Sequence, residues 1–124
     1  MLESSIGWIL VASGIITAVA GLAALLFPHL FLRLGFGVES TGPFVFFVQH
    51  WGVLILAVGA LILYSAYVPT VRAPVLVAAA IEKFAIGLLI VFGSMKRTTA
   101  TTAMAIGDGV FAIFYVAYLA GLKV

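Results

Sequence analysis

The sequence predicts an all-α integral membrane protein, a bundle of four transmembrane helices with a short interfacial helix after the first. Three observations carry this. Hydrophobic residues make up 65% of the 124 positions and charged residues 8%, against roughly 45–50% and about 25% in ordinary soluble domains. Four stretches reach the roughly 20 apolar residues that a helix rising about 1.5 Å per residue needs to cross a bilayer. Prolines and glycines fall between those stretches. A single soluble domain of this length leaves too much surface exposed to hide so much apolar side chain, so the missing solvent is lipid.

The first helix is expected over about 5–27, ending at Pro28, whose ring cannot continue a hydrogen-bonded turn. Met1-Leu2-Glu3 is acidic, so Ala18-Val19-Ala20 reads as part of a retained helix and not as a signal-peptide cleavage site. In Pro28–Gly35, Leu30, Phe31 and Leu34 stand at helical spacing opposite Arg33, which predicts a short helix lying in the interface. A polar turn over Gly37–Pro43 carries Glu39.

The second helix is expected over about 44–67, entered after Gly42-Pro43 and left before Pro69. The third, over about 74–93, starts at Pro74, a favourable first-turn residue. The fourth runs over about 99–122, with Thr98 or Thr99 available as N-cap. Four spans put both termini on one side. The links at Pro69–Ala73 and Ser94–Thr98 are tight, so the second and third helices, and the third and fourth, are expected as antiparallel neighbours. Arg33, Lys96 and Arg97 lie with the first and third links, Arg72 and Lys123 with the termini; three against two favours termini outside the cytoplasm. The Gly21–Phe27 segment resembles Gly87–Phe92, and Gly52-Val53-Leu54 resembles Gly109-Val110-Phe111, a pattern of two parallel helix-pair repeats.

Composition also excludes functions. Cysteine is absent, which removes disulfides, thiolate metal sites, iron–sulfur clusters and redox-active thiol pairs. The two histidines, His29 and His50, are too few for a bis-histidine metal or haem pocket within one chain, so neither metal nor cofactor is expected. The six Lys/Arg are scattered except for Lys96-Arg97, leaving no basic stripe for nucleic acid and no polybasic cluster for anionic lipid.

Charge inside lipid costs about 2.5–3.5 kcal/mol even on lenient insertion scales. His50, Glu82, Lys83 and Asp108 nevertheless fall inside the expected spans. Counting helical rise from the side of the first and third links puts His50 about 9 Å deep, Asp108 about 13 Å and Glu82–Lys83 roughly 16–20 Å. One inward-facing cluster is therefore geometrically feasible. Glu82 shares a face with Val75, Ala78, Ala79, Ala85, Ile86 and Leu89; Asp108 with Met104, Phe111, Ala112 and Tyr115; His50 with Leu54, Ala57, Leu61 and Tyr64. Ser13 and Thr17 form an i, i+4 polar pair at matching depth.

Two acids, a base and an imidazole exceed what helix packing needs, so Glu82, Asp108, His50, Lys83, Tyr115 and Thr17 are the candidate ligand- or proton-binding residues. The competing readings are a charge-neutralising structural cluster, with Tyr115 as core packing, and Lys83 snorkelling toward the terminal side. One lysine cannot neutralise two carboxylates. Glu82 and Lys83 diverge by about 100° around their helix, so Asp108 is the expected partner of Lys83, leaving Glu82 neutral or bonded to His50. Gly52, Gly59 and Ala66 form a smooth stripe suited to helix packing or to a homo-oligomer or larger membrane complex. Trp8, Trp51, Tyr64, Tyr67 and Tyr118 read as interfacial anchors.

Four segments, GLAALLFP at 21–28, WGVLILAVGALIL at 51–63, IEKFAIGLLIV at 81–91 and the helix of Asp108, resemble the small four-helix bacterial proteins of the DoxX-like group. The resemblance covers the chain in outline, through hydropathy and glycine placement. It implies a bacterial or archaeal cell-membrane protein, associated as a small cofactor-free subunit with membrane oxidoreductase assemblies. A more distant similarity is to EXPERA-type bundles, which bind sterols and in some cases isomerise them with buried acids and a histidine, parts for Glu82, Asp108 and His50.

Three functions stay open. The first is an accessory or ligand-binding subunit whose polar cluster faces an amphipathic molecule such as a quinone, sterol or lipid. The second is a proton-coupled homodimeric transporter using Glu82 or Asp108, although drug exporters of this length carry their essential Glu on the opening helix, which here has no acid beyond Glu3. The third is an intramembrane acid–base enzyme of sterol-isomerase type.

Overall fold

A computed structural model describes residues 5–37, 39, 42–93 and 98–122. The described residues are predominantly helical, with no strand among them. Among the described residues, four helices are long and apolar enough to cross a membrane: α1 (Ser5–Leu26), α3 (Pro43–Tyr67), α4 (Arg72–Phe92, continued backwards by a 3-10 turn over Pro69–Val71) and α5 (Thr99–Leu119). A short helix, α2 (Pro28–Phe31), runs into a wider π-helical turn at Leu32–Phe36 and stops at Gly37, whose φ of 65° is the left-handed cap a glycine adopts freely. Lys96, Arg97 and Lys123, which weighed in the charge count, and Glu3 lie outside the described residues.

Each boundary has a local cause. Pro28 and Pro43 occupy first turns, where a missing N–H costs nothing. At α5, Thr98 Oγ1 accepts from the Thr101 N–H while the Thr101 hydroxyl oxygen accepts from the Thr98 N–H, a reciprocal cap with threonine in the place usual for Glu or Gln. Helix α4 begins at Arg72, ahead of the expected Pro74, because the 3-10 turn from Pro69 already winds the chain into helical dihedrals. Helix α5 ends at Leu119, short of Leu122, where Gly121 takes a φ of 86°.

The four long helices associate as two antiparallel pairs, α1 with α3 and α4 with α5. Glycine explains how closely the first pair approaches. A Cβ on Gly52 would stand 2.6 Å from Gly21 O and 2.8 Å from Leu25 N, and one on Gly14 would stand 2.8 Å from Leu63 N. Only hydrogen fits at these crossings. The Gly52/Gly59/Ala66 stripe is thus buried against α1 of its own chain, so it offers no free face to another copy. The tight Pro69–Ala73 link does not bring α3 and α4 into extended contact; they meet sparsely. The two pairs follow the halves of the sequence repeat, but the matching glycines do not pack alike, since nothing lies within 4 Å of a Cβ on Gly109.

The core sits mainly at the terminal end, where Ile6, Leu10, Ile62, Leu76 and Tyr115 interlock. A smaller cluster of Ala24, Leu32 and Val48, backed by Phe31, Phe36 and Trp51, lies at the other end. Helix α2 and the turn after it bring Pro28 and Leu32 toward the bundle with Phe31 half-buried, and leave Leu30, Arg33 and Leu34 exposed. The outer surfaces of the four long helices carry large apolar residues, among them Ile15, Val19, Leu54, Ile81 and Ile113.

Candidate functional site

The middle of the bundle is built around Lys83. The buried face of α4 runs through Arg72, Leu76, Ala79, Ala80, Lys83 and Ile90, so Lys83 points inward and Glu82 lies on its flank. This differs from the expected face, centred on Glu82: Ala78, Ala85 and Leu89 are exposed. Lys83 does not snorkel. It is 2% exposed, and its ammonium donates to Thr17 Oγ1 at 2.8 Å and to Asp108 Oδ1 at 3.2 Å. The Phe111 ring centroid lies 5.9 Å from the same nitrogen, near the outer limit of a cation–π contact. Glu82 Oε1 is 4.0 Å away, too far for a hydrogen bond.

Asp108 rather than Glu82 therefore pairs with Lys83. Adjacent residues on a helix diverge too far for both to meet one point, whereas a residue on the facing helix can. Glu82 Oε1 is left buried and accepts no hydrogen bond among the described residues. A buried polar atom without a partner typically costs about 1–3 kcal/mol, so an orphan beside an ion pair calls for a reason.

The space around it supplies one. A half-open cleft of about 520 Å³, within the range of small-molecule sites, is lined by Thr17, Glu82, Lys83 and Asp108 on its polar side and by Trp51, Ile55 and Phe111 among its apolar walls. The cleft exists because the opening half of α5, TATTAMAIGDG, is mostly small side chains: Ala100, Ala103 and Gly107 face it. A second chamber of about 220 Å³ adjoins it, walled by Phe31, Phe36, Phe44 and Phe47, and Trp51 and Ile86 line both spaces. Phe31 and Trp51 pack with ring centroids 5.5 Å apart.

The other candidates part company with this cluster. Tyr115 is wholly buried, one helical period or two beyond Asp108 and Phe111, and donates its hydroxyl proton to Ser13 Oγ; it fastens α5 to α1 and does not line the cleft. His50 is exposed, and so are Leu54, Leu61 and Tyr64 on its stripe. The shared face was identified correctly, but it is the outward one. The inward face of α3 is Gly52, Ile55, Gly59, Ile62 and Ala66.

Three features escaped sequence reading. Trp51, read as an interfacial anchor, forms a wall of the cleft; its i, i+4 spacing to the inward-facing Ile55 was the available signal. Arg72, counted only as a loop charge, is buried and donates through Nε to Ser65 O at 2.7 Å and through Nη2 to Ala66 O at 2.8 Å, with the Tyr118 ring centroid 5.8 Å from its guanidinium carbon. It satisfies carbonyls that the end of α3 would leave bare. Finally, the Thr98 hydroxyl donates to Gly35 O at 3.0 Å, tying the start of α5 to the turn after α2.

Among the described residues, no group of three or more His, Asp or Glu side chains is placed to hold a metal ion. What the site can do is hold a polar head against an ion pair and a spare carboxyl oxygen, with an apolar body alongside. It belongs to a class defined by architecture alone, a small four-helix protein with an interior cleft. No family model matches the chain, and neither the curated proteins nor the solved structures contain a significant match.

Proposed function

We propose that this chain crosses a lipid bilayer four times and binds a small amphipathic molecule, of the quinone, sterol or lipid class, in the cleft beside Lys83. The observation that carries the reading is Glu82 Oε1, buried in the cleft wall without a hydrogen-bond partner among the described residues. A cluster that served only to neutralise charge has no use for a second carboxylate there. The apolar outer faces of all four spans support insertion, since lipid is the solvent in which such a surface is stable. The accessory-subunit role implied by the DoxX-like resemblance is compatible with a ligand-binding cleft of this kind. The sterol-isomerase alternative loses its histidine, because His50 faces away from the cleft.

The test is to purify the chain in mild detergent and identify co-purifying lipids by mass spectrometry. Ala103 lies at the exposed mouth of the cleft, so Ala103→Trp should fill the opening without disturbing the core. One species enriched over bulk membrane lipid, and lost in Ala103→Trp, is the expected result. Bulk composition in both proteins would overturn the proposal.

A further inference from the structure

Resting on that reading, the geometry points to the chemical class of the head: we infer that the cleft selects an amphiphile with an uncharged hydroxyl head, whose apolar body lies along Trp51 toward the phenylalanine chamber. The polar wall holds one ammonium and two carboxyl groups, and the ammonium is already committed to Thr17 Oγ1 and Asp108 Oδ1. A phosphate, sulfate or carboxylate head would enter a site with no unshared cation and stand against Glu82 and Asp108. Desolvating an anion there without a counter-charge is strongly unfavourable. An ammonium head would be drawn by the acids but would sit beside the ammonium of Lys83, itself 4.0 Å from Glu82 Oε1.

A hydroxyl meets neither objection. It both donates and accepts, so it pairs with Glu82 Oε1 whether or not that carboxyl carries a proton. The body is directed by the walls. Trp51 and Ile86 line both the polar cleft and the neighbouring chamber of Phe31, Phe36, Phe44 and Phe47. A head at Glu82 thus places the chain attached to it beside the Trp51 indole, on the path into an aromatic space.

This arrangement supplies its own reporter. The chain has two tryptophans, so Trp8→Phe leaves Trp51 as the only one. That variant, in phosphatidylcholine nanodiscs, is titrated with hexadecanol, with hexadecyl sulfate, which carries a permanent negative charge, and with hexadecylamine. Hexadecanol is expected to shift Trp51 emission saturably, at a mole fraction at least about tenfold lower than either charged analogue. Glu82→Leu should raise the half-saturating mole fraction of hexadecanol about tenfold, the equivalent of one lost hydrogen bond. Glu82→Gln, which can still donate and accept, should retain binding. If Glu82→Leu does not fold, the comparison of the three heads on protein with Glu82 intact decides the matter alone. Equal saturation by hexadecyl sulfate or hexadecylamine, or indifference of hexadecanol to Glu82→Leu, would overturn the hydroxyl selectivity and leave the cleft as a general amphiphile site. No saturable response to any head, together with bulk lipid co-purifying equally with wild type and Ala103→Trp, would remove both the selectivity and the site.

Discussion

The Lys83 ammonium donates to the Thr17 hydroxyl oxygen at 2.8 Å, joining positions 66 residues apart and linking the two helix pairs through one long side chain. The backbones of α1 and α4 themselves stay apart. Lys83 is therefore both the polar centre of the cleft and part of what closes the bundle around it.

Its partner is the first target. Asp108→Asn keeps the shape of the side chain but strands a buried cation. Breaking a fully buried pair costs about 3–5 kcal/mol; because the Asp108 side chain is 20% exposed, a smaller loss of about 2 kcal/mol is expected. Unfolding in detergent measures it, and adding Lys83→Met to Asp108→Asn should recover part of the loss. An Asp108→Asn protein as stable as wild type would show that the pair contributes nothing.

Glycine substitutions should separate by position. An interior helical Gly→Ala change ordinarily gains up to about 1 kcal/mol from backbone entropy. Gly109→Ala, which meets nothing within 4 Å, should be neutral or mildly stabilising. Gly52→Ala drives a methyl into Gly21 O and Leu25 N, which are backbone and cannot rotate away, and should cost about 1–3 kcal/mol. Thermal unfolding of the two variants side by side would expose an error in the α1–α3 crossing if their order were reversed.

Arg72→Met should leave Ser65 O and Ala66 O without their donors and remove the cation over Tyr118, a loss of about 1.5–3 kcal/mol. Arg72→Lys should recover only part, because a single ammonium cannot reproduce the two-pronged guanidinium contact. Hydrogen exchange should quicken first around Tyr67–Val71; unchanged exchange there would argue against the cap.

His50→Ala should change stability by no more than about 0.5 kcal/mol and leave the Trp51 response to hexadecanol as it was, since the imidazole lies on the outer face of α3. Loss of that response would return His50 to the site and revive an acid–base reading.

Insertion has a direct test, because a chain without cysteine is ready for single-cysteine labelling. Glu39→Cys and Leu122→Cys should react with a membrane-impermeant thiol reagent from opposite sides, Glu39→Cys from the cytoplasm. Labelling of both from one side would refute an even number of spans.

The four long apolar helices were legible because length, hydropathy and proline placement act locally along the chain. The meeting of Thr17, Lys83 and Asp108 was legible too, since helical rise alone puts them at overlapping depths. What could not be read was which face turns inward. In a soluble helix the polar face marks the outside; here the stripe of His50, Leu54 and Leu61 is nearly as apolar as the stripe of Gly52, Ile55 and Ile62. Small residues were the better guide than charge, and at His50 charge misled. The role of Arg72 was hidden for another reason: it depends on how the Pro69–Val71 turn folds back on the end of α3, which no periodicity records.

The glycine crossings that press α1 against α3 also make the two helix pairs unlike in how they are held. Backbone packed on backbone at Gly14, Gly21, Gly52 and Gly59 makes that pair a stiff plank, whereas α5 buries only Thr101, Ala112 and Tyr115 along its length. Between the planks the contacts are side chain on side chain: the Ile6, Leu10, Ile62, Leu76 and Tyr115 core at the terminal end, and the hydrogen bonds Lys83–Thr17 and Tyr115–Ser13. The cleft lies on that seam, so its opposite walls are joined by side chains and not by backbone packed on backbone.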